Sequence, residues 1–338
     1  MKKLGLGIQE LSKLRKDGYI YVDKTEIIYK LITTGSYYFL SRPRRFGKSL
    51  LVNTMEEIFN GNKELFKETW IYDKWNFEEK FPVIKIDFSK LDYNEVGLDS
   101  AIKKRLNSIG EEYNIKLNRT TMKEMFLELI EKMGKKNPVA ILIDEYDKPI
   151  IDYVESSKRE KAVENREILK NFYSVIKGSD KYIKLFFLTG ISKFSKVSIF
   201  SDLNNVTDIT IHRNYSTIAG YTEKEIADNY EEYLKNIEDK FRIGRKKAME
   251  MIKSWYDGYS WNAENFVYNP YSILNFFDSE QFKNFWFKSG TATFLTKLIK
   301  EKGLDVRDYD KLITIPESAL DSYNIENINM STLLFQTG

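Results

Sequence analysis

The sequence predicts an α/β protein built around a parallel sheet and a phosphate-binding loop. Between residues 37 and 191, short apolar runs alternate with longer segments of helical periodicity, which is typical of parallel strands joined by crossover helices. The first run leads directly into the segment Arg42 to Ser49, which ends in Gly-Lys-Ser. A later run ends in two carboxylates, Asp144 and Glu145. Together these observations predict a nucleotide-binding core.

The composition is that of an ordinary globular chain without cysteine chemistry. The 338 residues are 42% hydrophobic, which is enough to bury a core without disulfides. The absence of cysteine excludes thiolate nucleophiles and iron–sulfur clusters, and it favours a reducing, cytoplasmic location. The formal charge of +3 does not by itself require nucleic acid or an anionic membrane as partner. No stretch has the length of a membrane span, so we expect no membrane association.

Periodicity predicts four strands and the helices that follow two of them. The strands are expected over residues 37–40, 82–88, 139–143 and 182–188, the second on the edge side and the third fully buried. Helical spacing marks the segment after the first strand at Leu51, Met55, Ile58 and Phe59. It also marks the segment before the fourth strand, at Ile168, Leu169, Phe172, Val175 and Ile176. The single histidine, His212, is interpreted as a half-exposed residue at a strand end.

The chain becomes rich in helical patterns after Gly220. The segment from Thr222 to Glu225 has the form of a capping box and predicts the start of a helix. We therefore interpret 1–220 as the core and 221–290 as a small helical lid. Residues 291–338 show a weaker pattern and end in an apolar stretch, so we expect a truncated linker or the start of a C-terminal region, with the natural protein continuing beyond Gly338.

The phosphate-binding loop is predicted where the first strand meets a helix. Successive main-chain N–H groups and a helix N-terminus converge on an anion in such a place. Lys48 is expected to reach the β and γ phosphates of ATP, and the Ser49 hydroxyl to bind Mg²⁺. Arg42 stands where the usual pattern has its first glycine. The nucleotide-binding residues are expected to be Arg42, Pro43, Arg44, Arg45, Phe46, Gly47, Lys48, Ser49 and Leu50.

The acidic strand end supplies the other half of the predicted site. Open α/β sheets bind ligands outside the carboxyl ends of their strands, where Asp144 and Glu145 would lie. Asp144 is expected to hold Mg²⁺ directly or through water, and Glu145 to orient and polarise the attacking water. The alternative is that both are solvated residues at the end of a strand. Asp147, just beyond, is interpreted as part of the loop electrostatics.

Several residues are candidates to supply positive charge or a hydroxyl group near the γ-phosphate. Arg44, Arg45 and Lys193 could stabilise the transition state of phosphoryl transfer, although an arginine fork also suits a buried carboxylate. Thr189 and Ser192 are placed to sense the γ-phosphate, and simple strand capping is the alternative. The aromatic residues around Trp255 could form a stacking platform for bases, but aromatic residues at such density usually belong to a core or a domain interface.

The chain resembles the bacterial AAA-ATPase-like proteins that are commonly followed by a PD-(D/E)xK nuclease-like domain, and it is also similar to the archaeal STAND-type ATPases. The resemblance covers essentially the whole chain and rests on these motifs: residues 21–25 (YVDKT), 42–49 (RPRRFGKS), 142–149 (LIDEYDKP), 189–194 (TGISKF), 200–205 (FSDLNN), 255–259 (WYDGY) and 268–270 (YNP). It implies a P-loop core with the strand order of additional-strand ATPases and a helical or winged-helix-like lid. It also implies that Arg42 is the family's own variant of the loop and that a nuclease-like domain follows Gly338.

Three functions remain open on the sequence. The first is a Mg²⁺-dependent ATPase whose nucleotide state controls a C-terminal effector, with a DNA or protein partner. The second is a nucleotide-gated binding module that does not hydrolyse ATP, and the third is a direct nucleic-acid binder. The presence of both Lys48 and Glu145 favours the first over the second, because a pure binder can lose the glutamate without losing affinity.

Overall fold

Five parallel strands form the centre of the protein, whose computed structural model describes residues 1–191 and 205–285. The strands are β1 (Tyr37–Ser41), β2 (Val83–Asp87), β3 (Val139–Asp144), β4 (Ile183–Gly190) and β5 (Thr207–Asp208). Their order across the sheet is β2-β3-β4-β1-β5, so that β4 lies between β1 and β3. The carboxyl ends of all five strands therefore meet at one edge of the sheet.

Helices cover both faces of this sheet. They are α1 (Leu11–Lys16), α2 (Thr25–Thr34), α3 (Lys48–Phe59), α4 (Tyr93–Val96), α5 (Leu98–Glu112), α6 (Met122–Met133), α7 (Lys148–Ile151) and α8 (Arg159–Tyr173). In β3, Ile141 and Ile143 belong to one hydrophobic cluster, with α5, α6 and α8, whereas Ala140 and Leu142 belong to another, with α2 and α3. The alternation explains why β3 is apolar from Val139 to Ile143, as parallel strands covered on both faces are.

The four strands and the first helix predicted from periodicity are confirmed, and three details differ. Helix α8 ends at Tyr173, and a 3₁₀ helix over Ile176–Tyr182 replaces the expected continuation. The two-residue strand β5 was not predicted. His212 was wrongly placed at a strand end: it precedes the 3₁₀ helix Arg213–Tyr215 and its Nδ1 accepts from the Asn214 N–H at 3.2 Å.

Residues 221–285 form four helices and a small hairpin. The helices are α9 (Glu223–Asn229), α10 (Glu231–Phe241), α11 (Arg245–Tyr256) and α12 (Pro270–Ser279), and the antiparallel hairpin pairs β6 (Tyr259–Ser260) with β7 (Phe266–Val267). We call residues 221–285 the helical region. It has its own hydrophobic cluster, which Val22 of the N-terminal segment joins.

Helix α9 begins with the capping box that the sequence predicts. The Glu225 N–H donates to Thr222 Oγ1 at 3.2 Å, and the Thr222 N–H donates to Glu225 Oε2 at 2.7 Å. Glu225 also accepts from Lys24 Nζ at 2.6 Å in a mostly buried ion pair. The predicted segment 291–338 lies outside the described residues. Within 1–191 and 205–285, no helix is long and apolar enough to cross a membrane.

Candidate nucleotide-binding site

The loop between β1 and α3 has a backbone suited to anion binding. Its last residue, Gly47, adopts a φ of +91° and stands immediately before the first residue of α3. A Cβ on Gly47 would meet nothing within 4 Å, so the left-handed backbone, and not crowding, favours glycine there. Arg45 also has a positive φ, of 68°, a strain of the kind found at ligand sites. The main chain of the loop therefore leads into the N-terminus of α3, and the N-terminus of a helix attracts negative charge.

Lys48 is buried and holds the loop closed. Its Nζ donates to the carbonyl oxygens of Arg42 and Pro43, each at 2.9 Å. Burial lowers the pKa of Lys48, and the charges of Glu145, Asp144 and Asp147 act against this effect. An ammonium that is desolvated and held by neutral carbonyls would gain from an anionic partner.

Arg42 is directed away from the loop and into the protein. Its fully buried guanidinium donates to the carbonyl oxygens of Ser41 (2.8 Å), Thr210 (2.7 Å) and Tyr215 (3.3 Å). Its Cζ lies 4.3 Å from the centre of the Trp261 ring. Burial lowers the pKa of Arg42 to about 9. The side chain of Arg42, which was expected to bind nucleotide, therefore fixes the start of the loop instead.

The rest of the loop touches the helical region at several points. The Phe46 ring packs against Tyr259 at 4.7 Å, and the Phe46 carbonyl oxygen accepts from the Gly220 N–H at 3.1 Å. The exposed guanidinium of Arg45 lies 4.9 Å from the centre of the Tyr271 ring. A displacement of the loop would therefore act directly on Gly220, Tyr259 and Tyr271.

The two carboxylates after β3 have different surroundings. Asp144 is buried, and its Oδ1 accepts from Thr189 Oγ1 at 2.5 Å and from the Glu145 N–H at 3.1 Å. Glu145 is partly exposed and has a φ of 51°. Burial raises the pKa of Glu145, and the nearby charge of Lys48 acts in the opposite direction. Thr189, predicted as a γ-phosphate sensor, thus donates to Asp144 in this structure.

A cavity of about 380 Å³ opens beside the loop. Its lining includes residues 44–51 and Glu145, among them the charged or hydroxyl side chains of Arg44, Arg45, Lys48 and Ser49. It also includes apolar side chains from the N-terminal segment, from α2, from the residues just before Gly220 and from the helical region: Ile8, Val22, Ile28, Ile218, Pro270 and Leu274. Its volume falls within the range of small-molecule sites, which combine an apolar lining with a small number of polar groups.

Comparison with known proteins decides the family. The model of the AAA-ATPase-like family, described as predicted AAA-ATPase, matches residues 5–200, which is more than half of the chain. The chain belongs to this family. A search of curated proteins finds the uncharacterized protein in the vnfD 5'region of Azotobacter chroococcum mcd 1, which is 37% identical over 343 residues. The alignment covers 100% of this chain and 63% of that relative, so the chain spans less than two thirds of the relative's length.

In this AAA-ATPase-like chain, the structure brings most of the predicted site residues together. Those lining the cavity are Arg44, Arg45, Phe46, Gly47, Lys48, Ser49, Leu50 and Glu145. Arg42, Pro43, Asp144 and Thr189 are not among the residues that line the cavity. Arg42 and Pro43 accept from Lys48, Asp144 accepts from the Glu145 N–H, and Thr189 donates to Asp144. Ser192 and Lys193 lie outside the described residues.

Sequence reasoning missed the contribution of the N-terminus to the cavity. Gly5, Gly7, Ile8 and Gln9 line it, together with Tyr21, Val22 and Lys24. No local periodicity marks residues 5–9. Residues 21–25 were noticed as part of the resemblance, and that motif was the available signal. The match of the AAA-ATPase-like family model begins at residue 5, so it includes this segment.

The donor set fits a metal ion that is held mainly by substrate. Among residues 1–191 and 205–285, no three His, Cys, Asp or Glu side chains are grouped to bind a metal. Mg²⁺ is usually bound by one or two protein oxygens, several waters and substrate phosphates, and not by an all-protein cage. The hydroxyl of Ser49, beside Lys48, and the carboxylate of Asp144, near Lys48, are oxygen donors of the required type.

Proposed function

We propose that this chain binds ATP with Mg²⁺ and hydrolyses it. The observation that carries the proposal is that the loop at the N-terminus of α3, with Lys48 and Ser49, lines the same cavity as Glu145. Family membership supports the same activity, since the family is one of predicted AAA-ATPases. The insertion of β4 between β1 and β3 supports an ATPase core of the additional-strand type.

The loop would bind the phosphates and Lys48 would reach the β and γ groups. To do so, the Lys48 ammonium would exchange its two carbonyl partners, Arg42 and Pro43, for phosphate oxygens. Charge-assisted hydrogen bonds to phosphate are stronger than bonds to neutral carbonyls, so this exchange is favourable. Arg44 and Arg45 both line the cavity and would supply further positive charge to the developing γ-phosphate oxygens.

Ser49 and Asp144 would hold Mg²⁺, which, when bound, neutralises charge on the β and γ oxygens. The hydrogen bond from Thr189 to Asp144 Oδ1 would fix the orientation of that carboxylate. Glu145 would orient the attacking water and accept its proton. Its position in the cavity wall, one residue beyond the buried Asp144, supports this division of roles.

The nucleotide state would be passed to an effector outside this chain. The chain spans 63% of its relative's length, which supports the presence of a further domain in such proteins. We propose a nuclease-like domain as the effector, with DNA or protein as its partner. The helical region would act as a lid and carry the signal, because it contacts the loop at Phe46 and Arg45.

Release of inorganic phosphate from ATP tests the proposal. The purified chain is incubated with ATP and Mg²⁺, with and without DNA, and the same measurement with EDTA is the control for metal dependence. Turnover that requires Mg²⁺ is the expected result. Tight ATP binding without phosphate release would instead favour a nucleotide-gated binding module, and a failure to bind ATP would contradict both functions.

A further inference from the structure

Asp147 is a buried carboxylate that the proposed chemistry does not use. It follows Glu145 by two residues, is fully buried, and its Oδ2 accepts from the Ile191 N–H at 3.0 Å. Burying a carboxylate is costly unless it is well bound, and buried ionisable groups cluster at functional sites. The acceptor is aimed at the first residue after β4.

Ile191 is held from the opposite side as well. Its carbonyl oxygen accepts at 2.8 Å from the Oγ of Ser41, which is the last residue of β1. The preceding carbonyl oxygen, of Gly190, accepts from the Arg42 N–H at 3.1 Å. Since β4 lies between β1 and β3, the end of β4 connects the start of the phosphate loop to the residues that follow β3.

The fit around this connection is close. A Cβ on Gly190 would lie 2.9 Å from Asp147 Oδ1 and would collide with the Tyr146 ring. The Tyr146 N–H also donates to the Thr189 carbonyl oxygen at 3.0 Å. A closely packed contact of this kind transmits a displacement and does not absorb it.

We propose that Asp147 is a positioning residue of the ATPase site: through the Ile191 peptide and Ser41 it sets the distance between the phosphate loop and Glu145. The proposal rests on the proposed function, because it concerns the spacing of the same two groups. Without the hydrogen bond between Asp147 and Ile191, Lys48 and the loop would still bind nucleotide. Glu145, however, would lose its alignment with the bound phosphate. A misplacement of about 1 Å at a reacting centre can cost on the order of 100-fold in rate.

The test compares Asp147→Asn, Asp147→Ala and the control Asp152→Asn in the full 338-residue chain. Asparagine keeps an oxygen that can accept from Ile191, whereas alanine does not. The Asp152 carboxylate pairs with Lys148 and accepts from Tyr93, away from the cavity wall. For each chain, single-turnover ATP hydrolysis, ADP affinity and thermal unfolding are measured.

The single-turnover rate is expected to be highest in the parent, lower in Asp147→Asn and lowest in Asp147→Ala, where the loss should be about 100-fold. The ADP Kd of both variants should stay within about threefold of the parent value. Asp152→Asn should keep both rate and affinity. A parental rate in Asp147→Ala would overturn the proposal, and so would equal losses in asparagine and alanine. A parallel loss of rate, ADP affinity and melting temperature would also overturn it, because it would indicate a purely structural role.

Ser41→Ala keeps the proposal testable if Asp147→Ala does not fold. It removes only the hydroxyl that donates to Ile191, so it should slow single-turnover hydrolysis while leaving the ADP Kd unchanged. An unchanged rate would contradict the positioning role. Failure of the parent chain to hydrolyse ATP would instead refute the proposed function, and with it this inference, so the two failures are distinguishable.

Discussion

The Lys48 ammonium lies 2.9 Å from the Arg42 carbonyl oxygen, so the lysine of the phosphate loop is bound to the residue at which that loop begins. Arg42 is in turn fixed by its buried guanidinium. The loop is therefore anchored at one end by Arg42 and closed at the other by Lys48. This arrangement presents a cradle of fixed shape in which the ammonium is the group that must move to meet a phosphate.

Replacing Lys48 by alanine should weaken ATP binding far more than AMP binding. The ammonium serves the β and γ groups, and a hydrogen bond to a charged group contributes about 1.5–3 kcal/mol, which corresponds to a loss of about 10- to 100-fold for ATP. Titration calorimetry with ATP, ADP and AMP measures the three affinities. Lys63→Ala, at the exposed first residue of the 3₁₀ helix Lys63–Phe66, is the matched control and should bind like the parent. Equal weakening for all three nucleotides would place the phosphates elsewhere.

Replacing Glu145 by glutamine should abolish turnover while leaving ATP bound. The amide keeps the shape of the side chain but cannot accept a proton, and a general base contributes about 100- to 10,000-fold in rate. Single-turnover hydrolysis and ATP affinity are compared with those of Glu223→Gln in α9, which should match the parent in both. Hydrolysis at the parental rate in Glu145→Gln would show that another group acts on the water.

The core strands could be predicted from the sequence, and their arrangement could not. Four apolar runs bounded by turns are sufficient to locate β1 to β4: the run from Val139 to Ile143 in β3 is continuous, as in strands buried on both faces, and the run in β2, at the edge of the sheet, is interrupted by Lys85. Strand β5 has only two residues, too few to show any periodicity. The placement of β4 between β1 and β3 depends on pairing between distant segments, which no local pattern records.

The same limit applies to the site. The position of Lys48 follows from the junction of a strand and a helix, which local patterns reveal. The burial of Arg42 under Trp261 depends on residues more than two hundred positions apart, and an arginine fork suits phosphate and carbonyl oxygens alike. Asp147 was interpreted as loop electrostatics, because nothing in its neighbours shows that it is fully buried against Ile191.

Replacing Gly220 by alanine should destabilise the protein and disturb the loop. Gly220 has a φ of +90°, and a Cβ would lie 2.9 Å from the Val267 Cβ and 3.2 Å from Phe46 Cδ1. Overpacking a buried contact costs about 1–3 kcal/mol of unfolding free energy, and the left-handed backbone adds strain. Chemical denaturation and ATP titration are the measurements. The control Gly178→Ala, where a Cβ meets nothing within 4 Å, should change neither, and equal stability of the two variants would contradict the expectation.

If the loop binds the triphosphate as proposed, its contacts with the helical region should make that region respond to the γ-phosphate. Arg45 stacks on Tyr271 at 4.9 Å and also lines the cavity, so a triphosphate would compete with the Tyr271 ring for its guanidinium. A ligand shifts a conformational equilibrium only by its difference in affinity for the two states. ATP and ADP differ by the γ-phosphate, and two residues of the loop proposed to bind the phosphates, Arg45 and Phe46, contact Tyr271 in α12 and Gly220.

Hydrogen exchange in α9 to α12 should therefore slow more with a non-hydrolysable ATP analogue than with ADP, both at saturating concentration with Mg²⁺. The expected mechanism is closure of the helical region over the cavity, which would reduce local opening of its amides. Mass spectrometry of peptides from residues 221–285 measures the effect. Helices α5 and α6 pack on the sheet and do not line the cavity, so they are internal controls that should respond equally to both nucleotides.

An Arg45→Ala chain should lose part of the difference, because the stacking contact with Tyr271 would be absent in both states. Identical protection with the two nucleotides in the parent chain would mean that the helical region is a static wall of the site, and the proposed signal to an effector would then need another route.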